Sequence, residues 1–232
     1  MKAPHCWCVV PAAGRGSRVG ASSPKQYLPL AGRPLIEHTL ERLAAYSGIT
    51  GLLVVLSAAD TYWSGIRLPS DKPVLTAIGG AERCDSVLAG LTALPDSVGN
   101  SDFVLVHDAA RPCVRLTDID RLLEQGVSGD GALLGAPLRD TLKRADSAGR
   151  SERTESRERR WRAFTPQMFR RGQLSSALFD AANSGVRVSD EAMAMELAGF
   201  LPLLVEGAED NIKVTTAADF ALAEFMLSRT AE

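Results

Sequence analysis

The sequence predicts an α/β fold, with a Rossmann-like, mostly parallel sheet flanked by helices. Short apolar runs alternate with segments of helical periodicity along the chain, which is the order that strand-helix-strand units produce. The apolar runs are continuous, as in strands that are covered on both faces, and a glycine-containing loop follows the first run. In such folds ligands gather outside the carboxyl ends of the strands, where the strand order reverses. We therefore expect the functional residues to meet at that edge of the sheet.

Continuous apolar runs bounded by turn residues predict the strands. The predicted strands are Cys6–Val10, Leu52–Leu56, Val74–Ile78, Phe103–Val106 and Ala132–Pro137. A later strand-like run, Asn211–Val214, places a lysine inside an otherwise extended segment. We expect that run to lead back toward the sheet.

Helical spacing and capping residues predict the helices. The first begins near Pro34 and is followed by helices at Glu82–Leu94 and Thr117–Gln125. Ser189 is predicted to cap a further helix, and Thr216 to open the last one together with Asp219. The apolar face of the last helix is predicted to consist of Ala218, Leu222 and Phe225.

Length and composition predict one domain, residues 1–232. A chain of 232 residues with 45% hydrophobic content is long enough for one large core and short for two. The net charge of −2 gives no general basic field for nucleic acid, and no apolar stretch approaches the twenty residues of a membrane span. The N-terminus enters the first strand without a signal-peptide core, so we expect a cytoplasmic protein.

The loop after the first strand carries both glycines and fixed cations. Glycines at 14, 16 and 20 allow tight turns that bring backbone amides close to an anion, while Arg18 and Lys25 add positive charge. A P-loop is excluded because its lysine follows glycine and precedes Ser or Thr, whereas Lys25 lies between Pro24 and Gln26. The match to the dinucleotide-binding motif is weak because Val19 occupies the position of its third glycine. A plain surface turn is the remaining alternative. The loop is best interpreted as a triphosphate cradle.

Two later motifs are predicted to reach the same edge. Gly80 ends a strand and Ser86 lies near the start of the next helix, which presents bare backbone and a hydroxyl together; a simple strand-to-helix turn is the alternative. Asp108 follows another strand, with Arg111 three residues on, and such a pair can orient a phosphate or a magnesium-bound triphosphate. His107 is predicted to be a packed residue.

Residues 138–163 are predicted to form a protruding two-stranded β-arm. From Arg139 to Arg162 there are nine basic and five acidic residues, and most of these side chains are expected only to be solvated. A two-stranded arm is too small to be stable unless it packs on something. A second subunit is the natural support, so we expect dimerisation through the arm.

The order of motifs resembles one enzyme family across nearly the whole chain. PAAGRGSR, PKQY, GGAERCDSV, VHDAARP, RDTLKR, TPQ, SDEA and EGAEDNIKVT closely resemble the 2-C-methyl-D-erythritol 4-phosphate cytidylyltransferases, within the nucleotidyltransferase superfamily. The resemblance implies a single nucleotidyltransferase domain, a homodimer, Mg²⁺ as cofactor, and CTP with a methylerythritol phosphate as substrates. The implied reaction transfers CMP from CTP to 2-C-methyl-D-erythritol 4-phosphate, giving 4-diphosphocytidyl-2-C-methyl-D-erythritol and pyrophosphate in non-mevalonate isoprenoid biosynthesis.

The resemblance also implies roles for individual residues. Arg18 and Lys25 match the transition-state cations, and Arg157 and Lys213 complete the implied catalytic set. The implied CTP-binding residues are Ala12, Ala13, Gly14, Gly16, Arg18, Lys25, Gly80 and Ser86. The implied residues for the second substrate are Asp108, Arg111, Thr141, Arg157, Thr165, Ser189 and Lys213, with Asp108 also a candidate magnesium ligand.

Two departures and two competing functions accompany this assignment. Ser189 stands where the family often has threonine, and the arm is unusually rich in arginine and glutamate. Among the arm arginines Arg157 is chosen because it lies eight residues before Thr165, which is the family's spacing. We expect no fused cyclase domain after the last helix. The competing functions are a ribitol-5-phosphate cytidylyltransferase and a nucleotide-binding regulator without turnover.

Overall fold

A seven-stranded sheet forms the centre of the computed structural model, which describes residues 5–14 and 23–230. The strands of this sheet are β1 (Cys6–Pro11), β4 (Ile49–Leu56), β5 (Val74–Ile78), β6 (Phe103–Val106), β7 (Ala132–Pro137), β10 (Trp161–Arg170) and β11 (Leu203–Glu206). Two small antiparallel pairs lie outside it: β2 (Pro29–Leu30) with β3 (Arg33–Pro34), and β8 (Leu142–Ala145) with β9 (Ser151–Glu155).

The strand order of the main sheet is β11-β7-β10-β6-β1-β4-β5. Strands β4 and β5 follow β1 on one side in parallel register, and the chain then returns to place β6 on the other side of β1, again parallel. The order therefore reverses at β1, and this is where a ligand crevice forms in doubly wound sheets. Only β10 among these strands runs antiparallel, paired with both β6 and β7.

Helices cover both faces of the sheet, so the predicted flanked, mostly parallel sheet is confirmed. The helices are α1 (Leu35–Ala45), α2 (Arg83–Thr92), α3 (Leu116–Gly126), α4 (Arg171–Asn183), α5 (Glu191–Leu197) and α6 (Ala217–Thr230). Apolar side chains of α1 and α3 pack with one face of the central strands, and those of α2, α4 and α5 pack with the other. The central strands are thus buried on both faces, as their continuous apolar sequences indicate.

Two predicted assignments differ from the structure. Residues 211–214 are irregular rather than a strand, because the backbone N–H of Val214 bonds to the carbonyl of Ala110 in a loop instead of a neighbouring strand. Asp190, not Ser189, caps α5, since its carboxylate accepts the N–H of Met193. The strand β5 has its predicted bounds, but it lies at the sheet edge and is largely exposed rather than covered on both faces.

The last helix also turns a different face inward. Thr216 and Asp219 exchange capping hydrogen bonds, as predicted, but Leu222 and Phe225 are 43% and 57% exposed. The face of α6 that packs on the body of the protein carries Ala223 and the partly buried Phe220. The local sequence therefore predicted where α6 begins, but it did not predict which face of α6 is buried.

Residues 142–155 form the separate hairpin of β8 and β9 within the predicted arm segment. Most of its side chains are exposed and paired with one another, such as Arg144 with Glu152 and Arg150 with Asp146. The segment returns to the body as β10, whose first residue, Trp161, pairs with Pro137. Its role in dimerisation stays a prediction.

Within the described residues, no helix is both long and apolar enough to cross a bilayer.

We predict that Gly131→Ala lowers the free energy of unfolding by about 3 kcal/mol, as expected for a strained backbone combined with overpacking. Gly131 directly precedes β7 with φ +99, and a Cβ there would lie 2.3 Å from the carbonyl oxygen of Met168. Gly129→Ala is the matched control because that position is open and lacks a positive φ. Urea unfolding of both variants checks this, and equal stability would contradict it.

Candidate active site

A cleft of about 240 Å³ opens at the carboxyl ends of β1, β5 and β6. It is lined by Pro11, Ala12, Ala13, Gly14, Lys25, Gln26, Gly80, Ala81, Glu82, Arg83, Ser86, Asp108, Ala109, Ala110 and Lys213. These residues come from segments far apart in the sequence, and the sheet brings them together at the point where its strand order reverses.

The structure gathers most of the predicted CTP and catalytic residues in this cleft. Those present are Ala12, Ala13, Gly14, Lys25, Gly80, Ser86 and Lys213, and they are joined by Asp108, which was predicted for the second substrate. Gly16 and Arg18 lie outside the described residues. The roles of all these side chains stay predictions.

Two glycines make the wall between β5 and α2 possible. A Cβ at Gly79 would lie 2.6 Å from the hydroxyl of Ser86, and one at Gly80 would lie 2.4 Å from Cβ of Asp85. Such distances are too short for any larger residue unless the neighbouring atoms shift. The close approach places the first turn of α2 at the cleft, while the Ser86 hydroxyl donates to the carbonyl of Glu82.

The turn that carries Lys25 is fixed from three sides. Its ammonium donates to the carbonyl of Val214 at 2.8 Å. The buried amide of Gln26 donates to the carbonyl of Ala12 at 2.6 Å, and the hydroxyl of Tyr27 donates to Asp60 at 2.7 Å. Consequently the side chain of Lys25 is held in one orientation at the end of β1.

Asp108 is the electrostatic centre of the site. Its Oδ1 accepts from Nε of Arg83 at 3.2 Å, and its Oδ2 lies 3.2 Å from Nε of Arg111 and 2.9 Å from Nζ of Lys213. Burial alone would raise the pKa of this carboxyl, but Arg83, Lys213 and Arg111 outweigh burial and hold the pKa well below its usual range. Asp108 is therefore ionised at every pH at which the protein would work.

Arg83 and Glu191 belong to this network, although sequence reasoning did not single them out. Glu191 is 0% exposed, and both of its carboxylate oxygens accept hydrogen bonds from the guanidinium of Arg83. Burial would lower the pKa of Arg83, but Glu191 and Asp108 outweigh it and raise that pKa. The two residues stand within quoted motifs, yet their pairing depends on α2 and α5 meeting in space.

Behind the cleft, His107 links Asp108 to Thr165 and Arg111. Nε2 of His107 lies 3.0 Å from the carbonyl of Arg111, which can only accept, so Nε2 carries the proton. Nδ1 then accepts from the hydroxyl of Thr165 at 3.0 Å, and that hydroxyl accepts the N–H of Asp108 at 3.0 Å. Burial lowers the pKa of His107 to about 4, so the ring is neutral near pH 7.

This arrangement bears on two residues assigned to the second substrate. The Thr165 hydroxyl is engaged on both sides, and Arg111 is buried, donating to the carbonyl of Asn211 at 2.7 Å as well as to Asp108. Neither residue lines the cleft. Their direct contact with a substrate stays a prediction, and what the structure shows is support of Asp108.

Three further predicted residues lie away from the cleft of their own chain. Thr141 and Arg157 are exposed in the arm segment, where the Arg157 guanidinium donates to the carbonyl of Arg139. Ser189 is exposed beside the sulfur of Met193. A role for Thr141 and Arg157 in a substrate pocket therefore requires the arm of another subunit, and remains a prediction.

The fold and the cleft together define an α/β enzyme of the nucleotidyltransferase class. The cleft joins a glycine-containing end of β1 to Lys25, Arg83 and Lys213, a combination suited to phosphate groups of a nucleotide. The sequence model of the 2-C-methyl-D-erythritol 4-phosphate cytidylyltransferases matches residues 6–229. The chain belongs to this family.

Individual relatives agree with the family assignment. The chain is 59% identical over 223 residues to the cytidylyltransferase of Xanthomonas euvesicatoria pv. vesicatoria, covering 95% of this chain and 84% of the relative. It is 59% identical to that of Stenotrophomonas maltophilia, covering 97% of each. The crystal structure of the Francisella tularensis 2-C-methyl-D-erythritol 4-phosphate cytidylyltransferase superposes with a TM-score of 0.83 at 32% identity, covering 96% of this chain and 99% of that one.

We predict that His107→Gln reduces the loss of stability on acidification. The unfolded chain binds a proton at this histidine below pH about 6.5, whereas the folded protein does so only near its lowered pKa of about 4. Stability therefore falls as the pH drops through this window, by about 2 kcal/mol at pH 5 for this residue. The difference in unfolding free energy between pH 7.5 and pH 5 should be smaller in the variant by about that amount.

Urea unfolding at the two pH values measures this difference. His5→Gln is the matched control, because His5 is exposed and is not part of the network around Asp108. An unchanged pH dependence in His107→Gln would show that His107 is not held neutral.

Proposed function

We propose that this chain transfers CMP from CTP to 2-C-methyl-D-erythritol 4-phosphate, releasing pyrophosphate and forming 4-diphosphocytidyl-2-C-methyl-D-erythritol for non-mevalonate isoprenoid biosynthesis. The observation that carries the proposal is the meeting of Lys25, Lys213 and Asp108 in one cleft at the end of β1, in a chain of this family. A cytoplasmic location is part of the same proposal.

CTP is proposed to lie over the loop between β1 and α1. The backbone at Ala12, Ala13 and Gly14 borders the cleft beside Gly80, so the nucleoside can approach main-chain groups closely. Lys25, tied to the carbonyl of Val214, is placed to meet the triphosphate, with Arg18 as the second proposed cation. Preorganised positive charge stabilises the additional negative charge that develops at the α-phosphate during transfer.

The methylerythritol phosphate is proposed to lie on the Lys213 side of the cleft. Lys213 is 40% exposed while its ammonium is held 2.9 Å from Asp108, so it can contact a ligand without losing its anchor. Thr141 and Arg157 are proposed to reach this pocket from the arm of a second subunit, with the protein acting as a homodimer. Such an arrangement explains why both residues are exposed within one chain.

The chemistry requires alignment more than proton transfer. A sugar phosphate has a second pKa near 6, so its attacking oxygen is already anionic at neutral pH and displaces pyrophosphate in line from the α-phosphorus. His107 is buried, neutral and hydrogen-bonded on both nitrogens, and Asp108 is paired with three cations. Neither is available as a general base, which agrees with a reaction that needs none.

Magnesium is proposed to enter as part of the substrate, bound to the phosphates of CTP. Among the described residues, no group of three or more histidine, cysteine, aspartate or glutamate side chains is arranged to hold a metal ion. Asp108, the candidate ligand, has both oxygens occupied by cationic side chains. The donor set therefore does not fit a resident magnesium ion.

Pyrophosphate release from CTP tests the function directly. We expect release with 2-C-methyl-D-erythritol 4-phosphate and at least about tenfold less with ribitol 5-phosphate, since a difference of one or two well-placed contacts is worth that much. Preference for ribitol 5-phosphate would identify the competing cytidylyltransferase. CTP binding without pyrophosphate release from either would indicate a regulator.

Lys25→Ala is predicted to lower kcat by about two to three orders of magnitude, or about 3 to 4 kcal/mol, as expected for loss of one preorganised charge-stabilising donor. Steady-state pyrophosphate release measures the loss. Lys72→Ala is the control, because Lys72 is bonded to the carbonyl of Tyr46 outside the cleft. Wild-type turnover in Lys25→Ala would exclude the proposed role.

Arg157→Ala is predicted to affect the sugar phosphate more than CTP. With the sugar phosphate limiting, kcat/KM should fall at least about tenfold further than with CTP limiting, because a lost charged contact is worth about that much. Arg153→Ala is the matched arm control, since Arg153 is exposed and paired with Glu155. Equal losses for the two substrates would count against a substrate contact.

A further inference from the structure

We propose that Glu191 is a positioning residue of the reaction, which holds Arg83 in the orientation that leaves Asp108 free to anchor Lys213. The inference rests on the proposed function, because Lys213 is the proposed contact of the sugar phosphate. It adds a residue that lies outside the cleft and acts on the substrate only through other side chains.

The burial of Glu191 requires an explanation. A carboxylate that is 0% exposed is costly unless it is paired and hydrogen-bonded. Glu191 is paired with Arg83 through both oxygens, and Arg83 itself lines the cleft with 27% of its side chain exposed. An apolar residue could fill the same volume at least as favourably, so stability alone does not account for a charge here.

The backbone around Glu191 is anchored to the central sheet. Gln167 of β10 donates from its amide to Asp190 at 2.9 Å and accepts the N–H of Ala192 at 2.8 Å. These bonds hold the residues on both sides of Glu191 against one buried side chain. The Glu191 carboxylate is therefore held in a fixed position, and it fixes the orientation of the Arg83 guanidinium that binds to it.

The division of donors on Arg83 gives Glu191 its effect. Both terminal nitrogens bond to Glu191, while Nε and Nη2, the nitrogens of one edge, each lie 3.2 Å from Oδ1 of Asp108. The other oxygen of Asp108 then remains for Arg111 and Lys213. Charges alternate along Glu191, Arg83, Asp108 and Lys213, and each side chain limits the orientation of the next.

Removal of the Glu191 charge would redirect Arg83. Two nitrogens of Arg83 already face one oxygen of Asp108, and without Glu191 the guanidinium is expected to shift to the paired contact with both oxygens that it favours. Asp108 would then interact more with Arg83 and less with Lys213. Because Lys213 is proposed to contact the sugar phosphate but not CTP, the two substrates should be affected unequally.

The test is a double-mutant cycle with Glu191→Gln, Arg83→Gln and the combined variant. We measure kcat/KM for the sugar phosphate at saturating CTP, and KM for CTP, after normalising each preparation to its number of CTP-binding sites. Glu191→Gln should lower kcat/KM for the sugar phosphate about 30-fold, a typical coupling for contacting charged residues, with KM for CTP within about twofold. The combined variant should be no worse than Arg83→Gln, because Glu191 acts through Arg83.

Two further variants separate positioning from folding. Glu196→Gln, at an exposed position of the same helix, should behave like the wild type. Glu191→Asp, which retains the charge on a shorter side chain, should recover at least part of the sugar-phosphate activity lost in Glu191→Gln. This variant also serves as the test if Glu191→Gln does not fold.

The possible failures are distinguishable. With an active wild type, three results would overturn the role of Glu191. The activity losses of the two single variants could add in the combined variant, they could be equal for both substrates, or Glu191→Asp could fail to recover activity. If the wild type itself releases no pyrophosphate, the proposed function fails and the inference fails with it.

Discussion

The ionised carboxylate of Asp108, surrounded by Arg83, Arg111 and Lys213, is the interaction on which the rest of the site depends. A buried negative charge is tolerable only with such partners, and each partner comes from a different part of the chain. The carboxylate thereby fixes the relative positions of α2, the segment after β6 and the loop before α6. The cleft, which is proposed to receive highly charged anions, thus has a negative charge at its centre, and this charge keeps the surrounding cations from moving apart by mutual repulsion.

The architecture was largely predictable from the sequence, because its determinants are local. The runs Val74–Ile78, Phe103–Val106 and Ala132–Pro137 form strands with the predicted bounds, since a continuous apolar run between turn residues has few alternatives. Residues 211–214 were misassigned because a strand is defined by its partner, and their partner is the loop at Ala110. The cap of α6 depends on local residues and was predicted. Its buried face depends on what the helix packs against and was not.

The candidate site divides in a similar way. Side chains that directly follow strands, such as Asp108, could be placed at the ligand edge from topology alone. The pair of Arg83 with Glu191 could not, because nothing in either local sequence specifies a partner on another helix. Thr165 was expected at a substrate, yet its hydroxyl is used by His107 and the backbone of Asp108. Motif resemblance identifies which positions matter, whereas the atoms with which each side chain interacts are fixed by the tertiary structure.

The antiparallel strand β10 joins the arm to the cleft within one continuous stretch of chain. It begins at Trp161, after the link 156–160 that follows the hairpin, and passes between β6 and β7 through Thr165 and Gln167 to Arg170. Thr165 supports the backbone of Asp108, and Gln167 anchors the start of α5. The chain that leaves the arm segment therefore carries both supports of the charged centre on one strand.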